Sequence, residues 1–197
     1  MRRSDQASLP GLGPAEVPRG PPHRLFFALW PDAALRTAIA ASAGELAQTH
    51  PSDGRRLRAD RYHMTLQFLG DIFAPRRDEV VARATQAAQR VASPAFDLVL
   101  DQAGGFPNAR VWWLAPGDVP EGLRQLWDAL GAALLSAGQK AKASPGFSPH
   151  LTIVRDVGAR LPATPIAPLR WHVDRFVLID SQPPRPYKLV GEWRLHS

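Results

Sequence analysis

The sequence predicts an α+β protein in which two similar lobes face a central cleft. Segments with helical periodicity and segments with strand periodicity are interleaved, with extra hairpin strands, which is typical of α+β chains with two sheets or one bent sheet. A short motif, His-x-Thr followed by an aliphatic residue, also occurs twice, beginning at His63 and at His150. Helices and strands are predicted around both copies, so each lobe would contribute one motif strand to the cleft.

Length and composition limit the possible protein classes. The 197 residues, 45% hydrophobic and 21% charged, suit a soluble globular protein with one core, or with two small lobes that share one. No apolar run approaches the length of a membrane span, and the N-terminus lacks the apolar core of a secretory signal, so a cytoplasmic location is expected. The absence of cysteine excludes disulfides, thiolate nucleophiles and cysteine-ligated zinc.

The fold is expected to begin after a proline-rich tail. Residues 1–22 hold five prolines and few large apolar groups, so they are predicted to be disordered, and the folded domain is predicted to span 23–197. A continuous apolar run at 24–30 predicts a buried strand. Asp32 then starts a predicted helix that ends around His50, where a Pro-Ser-Asp-Gly turn follows.

The two motifs lie on predicted strands over 61–70 and 148–156. Apolar and polar residues alternate in both with the period of two that a half-buried strand requires. The first strand is predicted to turn Met64, Leu66 and Phe68 to the core, and His63, Thr65 and Gln67 to the opposite face. The second divides in the same way, into Leu151 and Ile153 on one side and His150 and Thr152 on the other. Each strand therefore presents an imidazole beside a hydroxyl.

The rest of the chain supplies further elements. A helix after Pro75 and another after Pro120 are predicted from apolar residues at helical spacing, respectively Val80, Ala84, Ala88 and Val91, and Leu123, Leu126, Trp127, Leu130 and Leu134. Strands are predicted at 96–101, 110–114, 173–180 and 187–195. Irregular segments are predicted at 104–108, 140–147 and 157–169.

These motifs resemble the 2H phosphoesterase superfamily, and within it the RNA 2′,3′-cyclic phosphodiesterases, also called 2′-5′ RNA ligases. The matching segments keep the family's order and spacing from about residue 24 to 195: 24–29 with Pro31, 63–66 with 68–70, 110–114, 149–153 with Arg155 and Asp156, and 187–193. The resemblance implies a bilobal, pseudo-two-fold fold with antiparallel sheets around the cleft, helices outside, and an active site without metal or cofactor. It also implies that His63 donates a proton and His150 accepts one, a choice that the residues alone leave open.

The residues themselves suggest the chemistry. Opening a 2′,3′-cyclic phosphate needs a base that activates water on one side of phosphorus and an acid that protonates the departing ribose oxygen on the other. His63 and His150 supply both, since an imidazole with a pKa of about 6.5 exists in either form near neutral pH. The Thr65 and Thr152 hydroxyls would donate to the non-bridging oxygens. The prediction is metal-independent hydrolysis of RNA 2′,3′-cyclic phosphate ends, with a 2′-phosphate product implied by the resemblance.

Three further residues are candidates for substrate contacts. Arg155 lies where the family often has an arginine and would pair with phosphate, or would be a solvated charge at a strand end. Phe106 and Phe147, in predicted loops beside the motif strands, would stack a base or only pack. The net charge of +6 comes almost wholly from arginine. It favours an anionic partner such as RNA, although a solvated basic surface explains it equally well.

Other functions stay open at this point. Histidine is also the commonest zinc ligand, but the four remaining ones, His23, His50, His172 and His196, show no His-x-x-x-His or Glu-x-x-His spacing. A non-catalytic module that binds RNA ends would not need both motifs. The same histidines would serve 2′-5′ ligation, the reverse reaction, although water at about 55 M favours hydrolysis. The expected partner is RNA with a 2′,3′-cyclic phosphate end, or a small cyclic nucleotide, bound by a monomer away from membranes.

Overall fold

The computed structural model describes residues 20–106, 108–141 and 146–196. Its strands are β1 His23–Leu29, β2 Arg55–Arg56, β3 Met64–Ile72, β4 Phe96–Phe106, β5 Val111–Ala115, β6 Leu151–Arg155, β7 Thr164–Val173, β8 Arg175–Ser181 and β9 Lys188–Arg194. Its helices are α1 Ala33–Thr49, α2 Ala74–Ala88 and α3 Glu121–Ser136, with a 3-10 turn at Ala59–Arg61. Most of the predicted disordered tail, residues 1–19, lies outside the described residues, and no described helix is long and apolar enough to cross a membrane.

The strands form one antiparallel sheet in the order β7-β4-β5-β6-β3-β1-β8-β9, with β2 paired to β6. The motif strands β3 and β6 lie at its middle, where their pairing is reduced to Met64 opposite Leu151. This junction divides the sheet into two lobes, one of β7, β4, β5 and β6 with β2, and one of β3, β1, β8 and β9. The predicted α+β fold with antiparallel sheets is therefore confirmed, in the form of one sheet with a weak central junction.

The two lobes repeat one local arrangement. In the first, β1 leads through α1 to the motif strand β3, and β1 pairs with β3. In the second, β5 leads through α3 to the motif strand β6, and β5 pairs with β6. A further strand borders each pair, β8 beside β1 and β4 beside β5. The repeat places the starts of the two motif strands next to each other.

The helices begin and end close to where the sequence predicts. Asp32 caps α1, its Oδ1 accepting a hydrogen bond from the Leu35 N–H at 2.8 Å, and α1 ends before His50. The apolar stripe of α3 is fully buried at Leu123, Leu126, Leu130 and Leu134. Trp127, predicted to share that stripe, is only half-buried. It borders the cleft described below.

Parts of two segments predicted to be irregular are strands, at 104–106 and 164–169, whereas 157–163 is irregular as predicted. β4 continues through Gly104 and Gly105, because both glycines allow a close approach: a Cβ on Gly104 would lie 2.6 Å from the Trp113 ring, and one on Gly105 would lie 2.9 Å from the Leu161 backbone nitrogen. β7 includes Pro165 and Pro168 from the predicted loop 157–169. It is an edge strand, and a missing N–H costs little on the unpaired side.

Bulges at matching positions change the predicted faces of the motif strands. Thr65 pairs with Ala28 and Gln67 with Phe27, so Leu66 has no partner on β1. Beyond this bulge Phe68 turns to the cleft. Gln67 also borders the cleft, but it is only 7% exposed, and it donates from Nε2 to the Trp127 carbonyl at 3.0 Å. The prediction that Phe68 faces the core is therefore wrong.

The second motif strand bulges at the equivalent residue. Trp113 pairs with Thr152 and Trp112 with Val154, so Ile153 has no partner on β5. In both strands the bulge is the third residue after the motif histidine. It brings the fifth residue, Phe68 in one lobe and Arg155 in the other, onto the same side as the histidine and the threonine.

Candidate active site

The two motif histidines meet at the junction between the lobes. His63 and His150 directly precede β3 and β6, whose contact is the pair Met64 and Leu151. Because that pair is antiparallel, the same register places His63 beside Thr152 and His150 beside Thr65. The two motifs therefore share one cleft, as predicted.

The cleft consists of two adjoining pockets. The His63 pocket, of about 600 Å³, contains His63 and Arg155, and the His150 pocket, of about 570 Å³, contains His150. Thr65 and Phe68 line both of them. A group held at this shared wall would lie between the two histidines.

Backbone carbonyls determine the tautomer of each histidine. His63 Nδ1 lies 2.8 Å from the Arg61 carbonyl oxygen, and His150 Nδ1 lies 2.9 Å from the Ser148 carbonyl oxygen. A carbonyl only accepts, so each Nδ1 carries the hydrogen. In the neutral rings Nε2 is left with a lone pair. Each ring can therefore take up a proton at Nε2, or release one there once protonated.

Burial and nearby cations keep both rings neutral. Burial lowers the pKa of His63 to about 4, although the bond to the Arg61 carbonyl acts in the opposite direction. The charges of Arg155 and Arg61 lower it further, and so does His150 when it is protonated. Burial also lowers the pKa of His150, against the Ser148 carbonyl, and Arg155 adds to the effect. An anion between the rings would offset these charges and raise both pKa values.

The other predicted phosphate contacts also lie in this cleft. Thr65 is half-buried and Thr152 is 9% exposed, and neither hydroxyl has a hydrogen-bond partner among the described residues. Arg155 lines the His63 pocket, and its guanidinium has no hydrogen bond or ion pair within the described part of the chain. Two hydroxyl donors and one cation are thus available to an anion beside the histidines.

The two predicted aromatic candidates line the His150 pocket. Phe106 meets the His150 ring edge-on, with ring centroids 4.9 Å apart, and also contacts Trp113 at 5.5 Å. Phe147 stacks on Trp127 at 5.0 Å with an interplanar angle of 19°. This pocket therefore has an aromatic wall.

Comparison with known proteins identifies the family of the chain. A family profile described as the 2′-5′ RNA ligase superfamily matches residues 31–184. The chain belongs to this superfamily. The RNA 2′,3′-cyclic phosphodiesterase of Escherichia coli is 35% identical over 146 residues, 73% of this chain and 78% of that protein. That of Aeropyrum pernix is 32% identical over 111 residues, 53% of this chain and 58% of that protein.

Solved structures show the same superfamily fold. The crystal structure of E. coli LigT in apo form has a TM-score of 0.74 and 32% identity, covering 90% of this chain and 100% of that one. E. coli LigT complexed with 3′-AMP has a TM-score of 0.72 and 31% identity, covering 89% and 99% of the two chains.

Sequence reasoning missed several residues of this 2′-5′ RNA ligase superfamily cleft. His63 lies between two aromatic rings, with centroid distances of 4.8 Å to Phe26 and 5.4 Å to Tyr187. The Arg61 guanidinium lies 4.4 Å from the centroid of the Tyr187 ring and donates to the carbonyls of Pro184 and Arg185. Phe26 belongs to the apolar run 24–30, and period-two alternation along that strand could have indicated the face on which Phe26 lies. Tyr187 is more than 120 residues away from His63 in sequence, so no local pattern connects them.

The described residues contain no group of three histidines, cysteines or carboxylates placed to hold a metal ion. Two of the other histidines instead bond single carboxylates. His23 lies against Asp180 at 2.9 Å and His172 against Asp97 at 2.8 Å. Of the described histidines, His63 and His150 are the two that line the cleft.

Proposed function

We propose that this protein is an RNA 2′,3′-cyclic phosphodiesterase that hydrolyses cyclic phosphate ends to 2′-phosphates without a metal or cofactor. The observation that supports this most directly is the pair of histidines at the lobe junction, each with Nδ1 bonded to a carbonyl and with no partner for Nε2 among the described residues. The E. coli relative that carries this name covers most of the chain. A cytoplasmic location, a monomeric state and a domain over residues 23–197 stay predictions.

In the proposed mechanism the two rings have opposite tasks. His150 Nε2 takes a proton from the water that attacks phosphorus, while protonated His63 gives its Nε2 proton to O3′ as the P–O3′ bond breaks. The phosphate stays on O2′, and the two rings have exchanged protonation states. The choice of His63 as donor follows the family resemblance.

Substrate binding would prepare the acid. His63, with a pKa of about 4, is neutral at pH 7 in the protein alone, and a phosphate anion beside it would raise that pKa. Thr65, Thr152 and Arg155 would meanwhile stabilise the non-bridging oxygens as charge shifts onto them. Phe106 and Phe147 would form the wall against which the terminal base stacks.

One assay of turnover tests this proposal. Purified protein is given an oligonucleotide with a 2′,3′-cyclic phosphate end in excess chelator, and the product is identified by ³¹P NMR. We expect a 2′-phosphate product, formed at the same rate as in the absence of chelator. Binding without turnover would favour the recognition module, and activity restored only by zinc or manganese would favour a metal enzyme. Joining of a supplied 5′-hydroxyl strand in preference to hydrolysis would favour the ligase.

A further inference from the structure

The two pockets of the cleft differ in charge as well as in shape. Five arginines line the His63 pocket, namely Arg24, Arg55, Arg58, Arg61 and Arg155, and no described carboxylate does. The lining of the His150 pocket has Phe106, Trp127 and Phe147, with Asp128 as the one charged side chain among its described residues. One side of the cleft therefore suits phosphates, and the other suits a base.

We propose that the RNA is bound in one direction, with its terminal base in the His150 pocket and the chain on the 5′ side leaving over Arg55 and Arg58. This inference rests on the proposed function, since it concerns the same substrate. It adds a binding edge outside the reacting centre and assigns two residues to it.

Arg55 and Arg58 are free to take that role. Their side chains are 66% and 85% exposed, and each has one exposed ion pair, to Asp156 at 3.6 Å and to Asp60 at 3.1 Å. Such pairs are weak and are readily exchanged for a phosphate. Arg61 differs, because its guanidinium already bonds two carbonyls and covers Tyr187.

The strand pairing connects this edge to the reacting centre. Arg55 on β2 pairs directly with Arg155 on β6. Neighbouring strands are about 5 Å apart, so Arg55 lies one strand spacing away from Arg155. The next phosphate of an RNA chain lies one nucleotide away from the cyclic phosphate. A chain that starts with its cyclic phosphate at Arg155 thus meets Arg55 and then Arg58 as it leaves the cleft.

The covalent structure of ribose connects this direction to the site of cleavage. The base is on C1′, next to C2′, whereas the 5′ chain continues from C4′, next to C3′. A base on the His150 side therefore turns O2′ to that side and O3′ towards His63. This orientation makes O3′ the oxygen that His63 protonates. The charge asymmetry thus supports the donor role of His63 independently of family resemblance.

The test compares substrates that differ only on the 5′ side. These are cytidine 2′,3′-cyclic phosphate, the same nucleoside with a 5′-phosphate, and a trinucleotide ending in the cyclic phosphate. We expect the wild-type kcat/KM to rise about 10-fold with the added phosphates, mainly through KM. Arg55→Gln combined with Arg58→Gln should remove that gain, so that the three substrates have similar kcat/KM values. It should also reduce the slope of log kcat/KM against log salt concentration for the trinucleotide by about 1 to 2.

Arg90→Gln is the control for a single lost charge and matches Arg58→Gln. Arg90 is exposed after α2 and does not line the cleft, so the loss of its charge should leave the kcat/KM of all three substrates unaffected. If the double variant unfolds, Arg58→Gln alone gives the same comparison, since that side chain is 85% exposed.

Three outcomes would overturn the inference while the proposed function stands. These are no gain from 5′ phosphates in the wild type, a gain that survives the double substitution, and an equal loss on all three substrates. No turnover of any substrate by the wild type, or a 3′-phosphate product, would instead reject the proposed function.

Discussion

His63 and His150 occupy matching positions in the two lobes, with equal hydrogen bonds and unequal surroundings. Each donates from Nδ1 to the carbonyl two residues earlier, and a bulge follows three residues later in each strand. Phe26 and Tyr187 flank His63, in a pocket with five arginines, whereas Phe106 meets His150 in an aromatic pocket. The duplicated motif thus supplies the acid–base pair, and the unequal surroundings distinguish the two roles.

The largest expected effect comes from substituting either histidine of the acid–base pair. His63→Ala and His150→Ala should each lower kcat by 10²-fold or more, on the order of positioned acid–base catalysis, and the double variant should add little because both rings act in one displacement. Steady-state rates on a cyclic nucleotide measure this. His172→Ala, at an exposed histidine outside the cleft, is the control. A single variant with a near-normal rate would remove that histidine from the mechanism.

A smaller effect is expected at the two hydroxyls. Thr65→Val and Thr152→Val keep the side-chain shape and delete a donor, so each should lower kcat by about 10- to 100-fold with little change in KM. Comparing the two variants shows whether the lobes contribute equally to stabilising the transition state. A change confined to KM would mean that the hydroxyls bind the ground state only.

The pH dependence tests what Arg155 does to both rings. Both histidine pKa values are lowered in the free protein, so the bell-shaped profile of kcat/KM should have its optimum below about pH 6.5, and that of kcat should lie higher because bound phosphate raises both values. Arg155→Gln removes a cation that lowers both pKa values, so it should shift the kcat/KM optimum to higher pH. An unchanged optimum in this variant would contradict the proposed coupling.

The last expected effect concerns stability and not turnover. The pKa of His63 falls from about 6.5 unfolded to about 4 folded, so the unfolded state binds more protons between these values. Stability is therefore fully present above about pH 6.5 and is lost as the pH falls towards 4, by up to about 3 kcal/mol. His63→Gln should reduce this loss, measured as the free energy of unfolding in urea at pH 7 and pH 4.5. An equal loss in both proteins would show that other groups cause the acid sensitivity.

The sequence by itself determined the elements that depend on local pattern. Period-two alternation identified both motif strands, and apolar residues at helical spacing identified α3, because each pattern involves residues close together in the chain. The two His-x-Thr motifs likewise indicated an acid–base pair before any geometry was known. His63, His150, Thr65 and Thr152 therefore needed no tertiary information to be proposed.

Strand pairing and the folding of distant segments decided the rest. The bulges at Leu66 and Ile153 exist only relative to β1 and β5, so no count along one strand predicts that Phe68 and Arg155 turn to the cleft. The continuation of β4 through Gly104 depends on the Trp113 ring that covers it. Tyr187 reaches His63, and Arg55 reaches Arg155, through contacts across long stretches of chain. The tertiary structure alone therefore determines the charge difference between the two pockets, because it is the sum of side chains brought together from both ends of the chain.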